Sequence, residues 1–204
     1  MKVIGLVGGS GTGKSTIAAH LAARGAGLVD ADRIAHEILD GDPEVVRLIR
    51  ERFGEGVFTD GLVDRAKLGD VVFPDSNALE ALGAIVHPRV LERCRLRLAE
   101  FESRGLELAV VDAALLLDVE LPFRIDVVLA LRASWDVQVK RLLEKGGVDR
   151  DDIVSRLESQ SGLERSFDRA DVVIDTARAL DVVLAEVDRV VRELLRGDSG
   201  TRSA

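Results

Sequence analysis

Cysteine occurs once in the 204 residues, as Cys94. An intrachain disulfide is therefore impossible, and a four-cysteine zinc site is excluded. The only histidines, His20, His36 and His87, lie far apart and lack the spacing of metal ligands. Tyrosine is absent, and the six phenylalanines and one tryptophan are too scattered to form base-stacking platforms. No apolar run approaches the roughly 18 residues that a membrane-spanning helix needs. The opening MKVIGLVGG has one lysine and a short apolar patch, too little for a secretory leader. Positive charge is in deficit, with 28 Lys and Arg against 36 Asp and Glu and a net charge of −8. That balance argues against binding duplex nucleic acid through overall charge. The expectation is a soluble, cytoplasmic protein with no nucleic-acid or membrane partner.

What is present is ordinary for a globular chain, 47% hydrophobic and 31% charged. Val3–Val7 is a short apolar run stopped by glycines, which suits a strand buried on both faces. Helical patterning follows over 14–23, and GLVDAD (27–32) reads as a second strand ending in two aspartates. A helix over 33–39 is closed by Gly41-Asp42-Pro43. Between 43 and 105 only helical stretches stand out, near 43–53, 64–73 and 76–103, with a hairpin-like turn at VFTDGLV. Further core strands are predicted at Leu108–Val111, closed by Asp112, and at 125–133 and 171–176. Helices are predicted over 134–145, 150–160 and 180–195, and a polar tail follows Arg196. Strands alternating with helices predict an α/β fold, a five-stranded parallel sheet with helices on both faces.

Gly8-x4-Gly13-Lys14-Ser15 fits the P-loop pattern between a strand and a helix. The glycines let successive backbone N–H groups curl into an anion-binding nest, and the helix aims its positive end at the same point. Lys14 then reaches the outer phosphates, and the Ser15 hydroxyl can ligate Mg2+. Neither an Asn-Lys-x-Asp guanine-reading motif nor a Ser-Gly-Gly-Gln signature is present. Asp112 is the Walker-B-like position. Asp32, 18 residues after Lys14, has two readings. It caps a helix starting near Arg33, or it is a carboxylate at the end of the next strand that takes the proton of a hydroxyl attacking the γ-phosphate. His87 before Pro88 shapes a helix start or contacts substrate. The stretch with Lys140, Arg141, Lys145, Arg150 and Arg156 is a solvated helix face or a phosphate-facing lid. Cys94 reads as buried on the apolar face of a helix.

VDADRIAHEIL (29–39), following the P-loop, resembles the dephospho-CoA kinase family, which pairs a P-loop with Asp-Ala-Asp and Ile-Ala-His. DGLVDRAKLGDVVFPD (60–75), LEALGAIVHPRV (79–90), VQVKRLLEKGGVDRDDIVSRLESQ (137–160) and ADVVID (170–175) are similar to further family segments, so the resemblance covers nearly the whole chain. It implies transfer of the ATP γ-phosphate to the ribose 3'-hydroxyl of dephospho-CoA, giving CoA and ADP, the final step of coenzyme A synthesis. Asp32, Lys14 and Arg141 are implied as catalytic. ATP is implied to bind at Gly9, Ser10, Gly11, Thr12, Gly13, Lys14, Ser15, Thr16, Arg141, Asp175 and Thr176, with Mg2+ on Ser15. Dephospho-CoA is implied to meet Asp32, Arg65, His87, Asp112 and Leu115. The implied architecture is a P-loop kinase core (1–42, 106–136 and 167–196), a helical substrate lobe (43–105), a lid (137–166) and a flexible tail (197–204), as a monomer or weak homo-oligomer.

The chain departs from the family pattern at several positions. Val7 stands where threonine is usual, Ala114 and Asp118 replace a proline and a glutamate, and Lys145 takes the place of a second lid arginine. Ser166 stands at a usually basic position, and Thr176 replaces an asparagine. Two other readings therefore stay open: a P-loop kinase for another nucleotide or small hydroxyl acceptor, and a non-catalytic ATP-binding relative.

Overall fold

The computed structural model describes residues 1–113, 120–147, 149–160 and 167–197. By the density of its internal contacts the chain divides into two units, residues 1–29 with 98–204, and residues 30–97.

The first unit is built on strands β1 (Lys2–Val7), β2 (Gly27–Asp30), β5 (Leu108–Asp112), β6 (Val127–Arg132) and β7 (Val172–Asp175). Their order in the sheet is β2-β5-β1-β6-β7. β1 pairs in parallel with β5 and β6, and β6 in parallel with β7. β2 therefore follows β1 in sequence but lies beyond β5, at the sheet edge, and is not its spatial neighbour. The strands are as apolar as their sequences suggested because both faces are covered. One face carries Ile4, Leu6, Leu108, Val110, Leu129, Leu131 and Ile174. These pack against Ile17 and Leu21 of helix α1 (Lys14–Ala22) and against Val183, Val187 and Val190 of α8 (Leu180–Arg196). The alternate residues Val3, Val7, Ala109, Val111, Val128 and Ala130 are buried as well. Each fully buried Leu or Ile contributes roughly 2 kcal/mol relative to exposure. Two further helices, α6 (Trp135–Lys145) and α7 (Arg150–Ser159), connect β6 to β7 and share the small core of Val139, Ile153 and Leu157.

The second unit contains α2 (Ala31–Gly41), α3 (Pro43–Phe53), a 3-10 turn (Glu55–Val57), the short strands β3 (Phe58–Thr59) and β4 (Leu62–Val63), α4 (Arg65–Val72), and α5 (Ser76–Ser103) as far as Arg97. Aspartates set the helix starts. Asp30 accepts the N–H of Arg33, Asp42 those of Glu44 and Val45, and Asp64 those of Ala66 and Lys67. β3 and β4 form the hairpin that the Asp-Gly pair suggested, with positive φ at both Asp60 and Gly61. Apolar residues of the helices, Ile34, Ile38, Val45, Ile49, Leu68, Val72, Val86 and Val90, are buried, and Cys94 is 1% exposed on α5 as expected.

Two local expectations change. β2 ends at Asp30 rather than at 32, and Asp30 is the helix cap. Asp32 therefore sits in the first turn of α2, relieved of the capping role, because the earlier aspartate already takes the free N–H. Pro88 lies inside the continuous helix α5, so His87 does not mark a helix start.

Candidate active site

β1 delivers the chain into the loop Gly8–Gly13, and α1 begins at Lys14. Gly13, the residue before the helix, has φ +92°, a left-handed conformation that a side chain would resist. Gly11 has φ +75°, and a Cβ there would come within 2.8 Å of the Gln138 carbonyl oxygen of α6. The loop is closed from inside by Thr12, 3% exposed, whose hydroxyl donates to the Gly9 carbonyl at 2.7 Å. Lys14 Nζ donates to the Gly8 carbonyl at 2.8 Å, folding the lysine back over the loop. No acceptor among the described residues takes the backbone N–H groups of Gly13, Lys14 or Ser15. The first turn of α1 carries no acidic residue, and Ser15 and Thr16 are exposed there. The result is a positive helix end whose free donors are not opposed by an acidic side chain in its own first turn.

This loop forms one wall of a cleft of about 530 Å³. Among the described residues, Lys14, Arg141, Lys145, Arg156 and Arg178 line it, Arg178 in an ion pair with Glu186, and Asp112 at the end of β5 is the one carboxylate. Basic side chains thus outnumber carboxylates along the described lining, in a chain of net charge −8, and give the P-loop a positive field. A polyanion of triphosphate size would meet that field with the free N–H groups at its centre.

Arg141 projects from α6 and ties the loop to the chain after β7. Its Nη1 donates to the Gly11 carbonyl at 3.2 Å and to Thr176 Oγ1 at 3.1 Å, and its Nη2 donates to the Thr176 carbonyl at 2.5 Å. Thr176 is 4% exposed, and its hydroxyl also lies 2.8 Å from the Thr12 carbonyl. Lys145, the last residue of α6, places an ammonium on the same cleft. Val7 is wholly buried.

Two residues that no motif singles out belong to this region. Gln160, just after α7, accepts the Ser10 N–H on its Oε1 at 2.7 Å. Gln138 donates from Nε2 to the Ala133 carbonyl at 2.8 Å, and its backbone abuts Gly11. Both line a second cleft of about 510 Å³ together with Trp135, Leu157, Phe167 and Asp175. Asp175 thus lines this second cleft, not the cation-rich one, and its side chain accepts the Ala177 N–H at 2.9 Å.

Of the expected site residues, Gly9 through Thr16, Asp112, Arg141 and Thr176 are brought together at the cation-rich cleft. Asp32, Arg65 and His87 belong to the other unit. Asp32 and Arg65 are exposed in the first turns of α2 and α4, and His87 is half-buried with its ring against Gly83 one turn earlier on α5. Leu115 lies outside the described residues, as do Ala114, Asp118 and Ser166. No helix among the described residues is long and apolar enough to cross a membrane.

The whole chain has close counterparts. The family model for dephospho-CoA kinase (CoaE) matches residues 2–181. A dephospho-CoA kinase of Carboxydothermus hydrogenoformans is 34% identical over 194 residues, which is 95% of this chain and 94% of that protein. One of Corynebacterium efficiens is 39% identical over 194 residues, covering 94% and 96%. The solved structure of TT1252 from Thermus thermophilus superposes with a TM-score of 0.74 at 30% identity, covering 95% of this chain and 97% of that one. A P-loop opening on a cation-lined cleft, carried by a chain that matches these proteins over nearly its whole length, makes this chain a member of the dephospho-CoA kinase family.

Proposed function

We propose that the protein transfers the γ-phosphoryl group of ATP to the ribose 3'-hydroxyl of dephospho-CoA, giving CoA and ADP. Family membership supports the reaction, and one structural observation supports the donor side: the N–H groups of Gly13, Lys14 and Ser15, which have no acceptor among the described residues, open on a cleft that Lys14, Arg141 and Lys145 line. The triphosphate takes those N–H groups. Lys14 exchanges the Gly8 carbonyl, its partner at 2.8 Å, for the outer phosphates. Arg141 and the neighbouring cations balance charge on the transferring group, where fixed positive charge lowers the barrier most. Asp32 accepts the proton of the 3'-hydroxyl as that oxygen bonds to phosphorus and the bond to the ADP oxygen breaks. Arg65 and His87 hold the acceptor, a role that rests on the match of their segments to the family.

The residues present also fit Mg2+, a hard cation that prefers oxygen ligands. The exposed Ser15 hydroxyl and the Asp112 carboxylate line the same cleft. The described residues contain no cluster of three acidic, histidine or cysteine ligands, so a bound ion would draw its remaining ligands from outside the protein. When bound, the ion neutralises charge on the β- and γ-phosphates.

Asp32→Ala tests the assignment. The expected result is a fall in kcat of roughly 10²- to 10⁴-fold, with ATP affinity held within about threefold. Unchanged turnover, or loss of ATP binding, contradicts it.

A further inference from the structure

Thr176 stands where the family resemblance implies a nucleotide contact, yet it is 4% exposed and its polar atoms are all turned inward. Its N–H donates to the Arg132 carbonyl at 2.8 Å, at the end of β6. Its carbonyl accepts Arg141 Nη2 at 2.5 Å. Its hydroxyl has one proton and two lone pairs. The proton goes to the Thr12 carbonyl at 2.8 Å, and a lone pair accepts Arg141 Nη1 at 3.1 Å. The Arg132 carbonyl is also 3.2 Å from the hydroxyl, but the Thr176 N–H already serves it. No donor capacity remains for a nucleotide.

We infer that Thr176 is a positioning residue, which fixes the Arg141 guanidinium against the P-loop through its hydroxyl and so orders the cation that meets the transferring phosphoryl group. The inference rests on the role given to Arg141 above. Its physical basis is that Arg141 has a long side chain, which loses considerable rotamer freedom when held in one place. Three acceptors hold it: the Gly11 carbonyl of the P-loop and the two oxygens of Thr176. The hydroxyl is the only one of the three that a substitution can remove without touching the backbone. It also joins three elements, because its proton bonds the P-loop at Thr12 while its oxygen receives the arginine of α6. A preorganised cation acts on the transition state without being reordered at the moment of reaction.

The test compares Thr176→Val, which keeps the shape and removes the hydroxyl, with Thr176→Ser, which restores it, each in the native and the Arg141→Ala background. Steady-state kinetics with ATP and dephospho-CoA are the readout. Thr176→Val is expected to lower kcat roughly ten- to a hundredfold, the worth of one hydrogen bond to a charged group. KM for ATP is expected to stay within about threefold and Thr176→Ser to stay near the native rate. In the Arg141→Ala background, Thr176→Val is expected to change kcat by less than about threefold, because the cation it positions is gone. If Thr176→Val does not fold, Thr176→Cys carries the same comparison, since its thiol bonds only weakly. Equal losses from Thr176→Val in both backgrounds, or a Thr176→Ser as slow as Thr176→Val, overturn the inference and leave Arg141 in place. Full activity of Arg141→Ala alone overturns both, because no catalytic arginine is then there to position.

Discussion

Replacing Gly11 with alanine probes how the P-loop is held, and Gly25 supplies the matching control. Both glycines have left-handed φ, +75° and +91°. At Gly25 the added methyl meets nothing within 4 Å. Only the backbone conformation then resists the change, at roughly 1–2 kcal/mol. At Gly11 the new Cβ would lie 2.8 Å from the Gln138 carbonyl oxygen and 2.9 Å from its Cα. Both are backbone atoms of α6, so no side-chain rotation relieves the clash. Forcing α6 and the loop apart adds roughly 1–3 kcal/mol, as overpacking does in a well-packed core. Gly11→Ala is therefore expected to lose roughly 2–5 kcal/mol in urea denaturation, against about 1–2 for Gly25→Ala. The loop also moves off the geometry that gathers its N–H groups, so ATP affinity measured by calorimetry falls at least roughly tenfold in Gly11→Ala and stays native in Gly25→Ala. Equal destabilisation of the two variants with native ATP binding would show that the loop does not depend on its contact with α6.

Other consequences follow from single positions. Leu129, wholly buried in the middle of β6, should cost roughly 2–5 kcal/mol on replacement by alanine, measured by denaturant titration. Asp42→Ala should cost roughly 1 kcal/mol by the same method, since it removes the acceptor for the Glu44 and Val45 N–H groups at the start of α3. Burial pushes the Cys94 thiol from its ordinary 9.0 up to about 11. The folded chain thus keeps a proton that the unfolded chain gives up, so this group's contribution is fully present below about pH 9 and is lost as pH rises towards 11. Denaturation midpoints across that range should fall more in the native protein than in Cys94→Ala, and iodoacetamide should label the thiol only after unfolding.

The sequence was most informative where structure is local. Val3–Val7 followed by glycines and Lys14 reads as strand, nest and helix because the P-loop is one contiguous stretch. Asp42 before Pro43 and Asp60 before Gly61 likewise carry their own turn chemistry, and the helix and hairpin lie there. Neighbours in space were harder to read. Apolar alternation marks β2 as a strand but not that β5 lies between it and β1. Two aspartates so close together left the cap ambiguous until Asp30 was seen to take the Arg33 N–H. The hydroxyl of Thr176 reaches a carbonyl 164 positions away, and Gln160 reaches an N–H 150 positions away. No periodicity or motif encodes such a pair, since its geometry exists only after the sheet has brought the strand ends together.

Incubating the protein with ATP, Mg2+ and one acceptor at a time, then weighing the products, decides which reaction it catalyses. The acceptors are dephospho-CoA, AMP, CMP and adenosine, with a blank containing none. The proposed reaction requires ADP release with dephospho-CoA alone and a product heavier than it by one phosphoryl group, carried on the ribose 3'-oxygen. Phosphorylation of AMP, CMP or adenosine in its place, or ATP bound without transfer to any acceptor, would contradict it.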